Sequence, residues 1–110
     1  NSLMNETASS IYIQALEPSE VLQIESKNLN ILLAERPVFE RFFRLLHQRA
    51  YIAETNRILN NIALNGHERY RRFADNFPEF VRRIPQKFLA SYLGMTPVFL
   101  SQIQSSRKLR

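Results

Sequence analysis

No cysteine occurs in this 110-residue chain, which excludes a disulfide framework and any thiolate metal site and fits a reducing compartment such as the cytoplasm. The only histidines, His47 and His67, stand in no spacing with acids or with each other that would bind a metal or build a catalytic triad. Each reads as a surface or helix-packing residue. Glycine appears only at positions 66 and 94, so a glycine-rich phosphate loop cannot form. Glu17 and Glu20 read as exposed turn residues rather than an acid/base pair. No apolar run approaches the length that crosses a bilayer. The opening N-S-L-M-N-E-T lacks the basic and apolar regions of a signal peptide. None of these residues calls for an enzyme, a metal, a cofactor or a membrane.

What the chain does have is positive charge, unevenly placed. The formal net charge is +5; residues 67–110 hold nine Lys or Arg against three acids, whereas residues 1–66 hold six against seven. A local field of that sign favours polyanions, because each phosphate neutralised releases condensed counterions. A solvated basic face without a partner is the plainer alternative.

The order of elements predicted from the pattern is two strands, then helices only. Ile11, Ile13 and Ala15 alternate with Tyr12 and Gln14, and Val21-Leu22-Gln23-Ile24 follows the turn residues Glu17-Pro18-Ser19, a hairpin pattern. Two strands alone are marginal in water, so they are expected to belong to a larger sheet, missing upstream or supplied by a partner. The absence of an initiator methionine points the same way. A short helix over 27–35 carries Leu29, Leu32 and Leu33 and stops at Arg36-Pro37. From 37 to 64 runs one long helix of about 40 Å, at 1.5 Å per residue. Its apolar residues Phe39, Phe42, Phe43, Leu46, Ala50 and Ala53 recur every three or four positions, and Ile52, Leu59, Ile62 and Ala63 continue the stripe past Asn56. Such a helix asks for a partner on more than one face. It is expected to pair with a second copy, Arg49 and Asn56 serving as polar register marks, the alternative being a helix buried wholly within one chain. Asn65-Gly66 then ends it, with Gly66 expected in the left-handed conformation and Asn65 and Glu68 forming a capping box for a helix over 67–76. A helical turn over 79–83 follows Phe77-Pro78, and Ile84-Pro85 opens the next helix.

Residues 86–105, Q-K-F-L-A-S-Y-L-G-M-T-P-V-F-L-S-Q-I-Q-S, carry the most specific pattern. Ala90 lets two helices approach at their crossing, and Gly94 sits where a turn needs positive φ. Thr96-Pro97 is an N-cap followed by proline at the first helical position. Leu89, Leu93, Met95, Leu100 and Ile103 would form the buried seam. That leaves Pro97, Val98, Ser101, Gln102 and Ser105 on the outer face, which in a helix-turn-helix enters the major groove. The same spacing also suits a helical hairpin inside an all-α core. Arg71-Arg72 and Arg82-Arg83 read equally as backbone clamps or as a solvated face, and Arg107, Lys108 and Arg110 form a basic tail placed for phosphate contact or for capping the last helix.

The tail E-R-Y-R-R-F-A-D-N-F-P-E-F-V-R-R-I-P-Q-K-F-L-A-S-Y-L-G-M-T-P-V-F-L-S-Q-I resembles the C-terminal domain of bacterial Crp/Fnr-type transcription regulators, particularly the shorter forms common in Bacteroidetes. The resemblance extends over nearly all of the chain and implies a mostly α protein: 1–36 as the end of an effector-binding, cyclic-nucleotide-binding-like β-roll, 37–64 as the dimerisation helix, and 65–110 as a helix-turn-helix domain of winged-helix type with little or no wing. It implies a cytoplasmic, sequence-specific regulator that binds double-stranded DNA as a homodimer. By position it assigns Gln86, Lys87 and Thr96 to phosphates and Val98, Ser101 and Gln102 to bases. Many members have Glu in place of Val98 and Arg in place of Gln102; here Gln102 would suit adenine, and Val98 or Pro97 a thymine methyl. The arginine that grips the ligand phosphate in cyclic-nucleotide-binding members is matched by Ser9 or its neighbour, so no cyclic-AMP site is expected. The alternative reading is a structural or protein-interaction module that works through its long apolar helix.

Overall fold

The computed structural model describes the backbone of residues 2–108 and the side chains of residues 2–106. These residues form seven helices and, among them, no strand. They divide into two compact units, Asn1–Ala50 and Tyr51–Arg110.

The first unit contains a single turn, α1 (Ser2–Asn5), then α2 (Ser26–Glu35) and the first part of α3 (Pro37–Ala63). Residues 8–25 contain bends but neither strand nor helix, which corrects the expected hairpin at Ile11–Ala15 and Val21–Ile24 and the β-roll it was to belong to. The cause is the one that made the hairpin marginal: alternation supplies a face, but a strand also needs a neighbour for its N–H and C=O groups and a layer to cover that face. Neither is present among the described residues; Ile13 is fully exposed. Local contacts occur within the segment, such as Ser9 Oγ donating to the Ile11 carbonyl and Ser19 Oγ to that of Glu17. Helix α2 ends where proline dictates. Arg36 lies in the extended region (φ −127°, ψ 96°), as a residue before proline prefers, and its N–H still closes on the Leu32 carbonyl at 3.0 Å. Pro37 then starts α3 with no N–H to satisfy.

The second unit holds the end of α3, then α4 (Gly66–Asn76), α5 (Pro78–Arg83), α6 (Gln86–Tyr92) and α7 (Pro97–Lys108). The capping box is complete: Glu68 N–H donates to Asn65 Oδ1 and Asn65 N–H to Glu68 Oε2, each at 3.0 Å. Gly66 departs from expectation. It is the first residue of α4 rather than a left-handed cap, and the only glycine with positive φ is Gly94. Space is what position 66 requires, since a Cβ there would lie 2.4 Å from Phe99 Cε1. Prolines 78 and 85 divide the chain after α4 into short helices whose turns fold α6 and α7 back onto α4. The core is Tyr70, Leu89, Ala90, Leu93, Leu100 and Ile103, flanked by half-buried Phe73, Ala74, Val81, Ile84, Met95 and Phe99. Leu89 and Leu100 are wholly inaccessible; burying one such side chain contributes about 1.5–3 kcal/mol. No strand flanks α6 or α7 among the described residues, so no wing is seen there.

Candidate functional site

The site is built on the turn between α6 and α7. Gly94 N–H donates to the Ser91 carbonyl at 3.2 Å and Met95 N–H to that of Ala90 at 3.0 Å, the paired bonds of a Schellman motif, and Gly94 has φ +68°. An L side chain there would meet no neighbour but would have to hold a left-handed backbone. One residue later Thr96 Oγ1 accepts from Phe99 N–H at 3.2 Å and caps α7. The two helices therefore have a defined stop, a defined start and a tight connection.

An arginine that the sequence pattern did not single out ties this turn down. Arg69 Nε donates to the Leu93 carbonyl at 2.9 Å and Nη1 to the Leu64 carbonyl at 2.6 Å, with Nη2 3.4 Å from the Gly94 carbonyl. One guanidinium thus satisfies carbonyls at the ends of both α3 and α6, where a cation also complements the helix dipole. Periodicity could not find it, because Arg69 is polar and its partners are main-chain atoms. Arg72 has a structural partner as well, Nη1 donating to Asn60 Oδ1 at 2.7 Å. Arg82 pairs with Glu79 on the surface of α5.

The buried seam contains four of its five expected members. Leu89, Leu93, Leu100 and Ile103 are buried and Met95 is half-buried against them. On α7 these side chains occupy one side. Pro97, Val98, Ser101, Gln102 and Ser105 fall within about 140° on the other at 100° per residue, and all five are exposed, Val98 at 68%. No acidic residue occurs after Glu79. Of the residues expected at phosphates, Thr96 is occupied as a cap and Lys87 lies exposed with Nζ 4.8 Å from the Phe88 ring centroid. Gln86 is hydrogen-bonded to Gln104, whose Nε2 also reaches Tyr70 Oη at 3.4 Å. It belongs to a polar link between α4, α6 and α7. The side chains of Arg107 and Lys108, and Arg110 altogether, lie outside the described residues.

The residues expected at a two-fold seam lie along α3. Phe39, Phe42 and Leu46 are exposed, Phe43 is half-buried with its ring 5.3 Å from that of Phe42, and Arg49 is exposed. Ala53 and Asn56 border a groove of about 240 Å³ formed within the second unit by α3, α4 and α6. Arg57 stands at that groove as well, its Nη2 2.8 Å from Glu54 Oε1 and its guanidinium 5.0 Å from the Tyr92 ring centroid. The bond to Arg57 holds the Glu54 carboxyl below its usual range, against a smaller opposing effect of burial.

Among the described residues no cluster of His, Asp or Glu could hold a metal ion, and no helix is long and apolar enough to cross a membrane. No protein-family model, curated protein or solved structure matches the chain.

Proposed function

We propose that the chain is a sequence-specific, DNA-binding transcription regulator that acts as a homodimer, with α7 as the recognition helix of a helix-turn-helix. The observation that carries this reading is the outer face of α7. Pro97, Val98, Ser101, Gln102 and Ser105 are exposed together on a helix whose opposite side is locked into the core by a Schellman turn and an N-cap. A helix read in the major groove needs this combination, rigid behind and acid-free and accessible in front. The basic balance of residues 67–110 supplies the field. Helix α3 supports the dimer, because it leaves Phe42, Ile52, Leu59 and Ile62 exposed along its length. The resemblance to Crp/Fnr-type regulators is supported by α3 to α7 only.

Duplex binding under salt titration tests the reading. Saturable binding is expected, with a steep negative salt slope and a preference of roughly 10³ for selected over random sequence. Lys87→Ala should weaken binding to all sequences alike, whereas Gln102→Ala should change preference at one base step. Absence of binding at low salt would leave the second reading, a protein-interaction module, which the exposed apolar residues of α3 favour.

A further inference from the structure

The groove beside α3 shares no residue with the outer face of α7 and has its own chemistry. One wall is aromatic: the Phe73 ring lies 5.3 Å from that of Phe77 and 5.6 Å from that of Tyr92. Arg57, Arg69 and Arg72 line the cavity and no Asp or Glu does, although Arg72 also borders a neighbouring pocket with Glu68 and Asp75. Arg57 already has a carboxylate partner in Glu54, outside the lining. Arg72 spends a donor on the neutral Asn60 amide oxygen, and a guanidinium carries five.

We propose that this groove binds a monocyclic aromatic carboxylate. The ring lies against Phe73 and Tyr92, where offset or edge-on packing is favourable. The carboxylate takes donors of Arg72 beyond the one given to Asn60, since a planar guanidinium matches two oxygens at once. A cationic rim without an acid in the lining selects an anion over a neutral ring. The volume of about 240 Å³ sets the size, lying below the roughly 300–1,000 Å³ of drug-sized pockets and admitting one ring. The proposal does not depend on DNA binding, but it requires that a homodimer seam leave the groove open, because Ala53 and Asn56 of that expected seam also line it.

The test is a titration of the full chain with benzoate, followed by amide chemical shifts. Saturable shifts at Asn60, Phe73 and Tyr92 are expected, with a dissociation constant of about 1 mM or tighter, as suits so small a ligand. Arg72→Gln should weaken binding about tenfold, and Glu54→Gln, by releasing Arg57, should tighten it about threefold. Both replacements are of hydrophilic side chains outside the core, and circular dichroism checks that the helices persist. Several results overturn the proposal: benzamide binding as well as benzoate, inorganic phosphate displacing benzoate at equal concentration, or unchanged affinity in both variants. Shifts at the same amides that follow protein concentration and not benzoate also overturn it, since a second copy then fills the groove.

Discussion

Phe39, Phe42 and Leu46 in the Asn1–Ala50 unit are as apolar as Leu89, Leu100 and Ile103 in the Tyr51–Arg110 unit, yet the first three are exposed and the last three are buried. No described side chain of residues 2–50 is buried. The difference lies in the chain breaks. In the first unit an irregular segment over 8–25 and long uninterrupted helix give the apolar groups nothing to converge on. In the second, Pro78, Pro85 and Gly94 end helices after 11, 6 and 7 residues. Short helices joined by tight turns bring three apolar faces together, and the core is the result. Hydrophobicity supplies the driving force in both units; turn chemistry decides which of them uses it within one chain.

The contrast is open to direct attack by mutation. The largest effect is expected from Leu100→Ala, which empties a wholly buried position and should cost about 2–5 kcal/mol in urea unfolding; Leu22→Ala, at a fully exposed position of the other unit, should stay within about 0.5 kcal/mol. Equal losses would mean that the two units are not packed differently. Gly94→Ala comes next. The position is sterically open but has φ +68°, so the cost is backbone strain of about 1–2 kcal/mol, and Gly94→Asn should recover part of it because asparagine tolerates that region. Asn65→Ala removes one half of the capping box and should lower stability by about 1 kcal/mol. A melting curve indistinguishable from that of the parent would show that α4 is held by packing alone.

The smallest effect concerns pH. Arg57 holds the Glu54 carboxyl below its usual range, so the folded state binds that proton less readily than the unfolded chain. The support is therefore present above the ordinary glutamate range and drains away as pH falls through the lowered folded value. Glu54 is exposed, so the change should be slight. Comparing the parent with Glu54→Gln, any difference in urea midpoint seen at neutral pH should vanish in acid; a difference that grows on acidification would mean that folding raises this carboxyl instead of lowering it.

The helices from Pro37 onward were legible because their signals are local. Proline as the first residue of α3, α5 and α7, the Asn65-Glu68 box and the Thr96 cap act within a few residues of the groups they satisfy. The strands expected at 11–15 and 21–24 do not form, for the opposite reason. A β pattern specifies a face but not the neighbour it must pair with, and period-2 alternation is compatible with an unpaired segment. Gly66 departs from the local expectation because its neighbour is Phe99, more than thirty residues away. The outer face of α7 was legible as the complement of an apolar seam, whereas the occupation of Gln86 by Gln104 was not, since it joins two helices through polar groups that no periodicity marks.

By itself, then, the sequence determined where the helices from Pro37 onward start, which side of α7 is apolar, and the sign and location of the excess charge, all of which depend on local backbone preference and residue type. Only the tertiary structure decided that Arg69 binds the carbonyls of Leu64 and Leu93, that a side chain at position 66 would displace the Phe99 ring, and that Arg57, Arg72 and three aromatic rings meet around one groove. Those outcomes depend on the three-dimensional approach of segments remote in the chain, and the energy of such contacts enters only when the turns have brought them together.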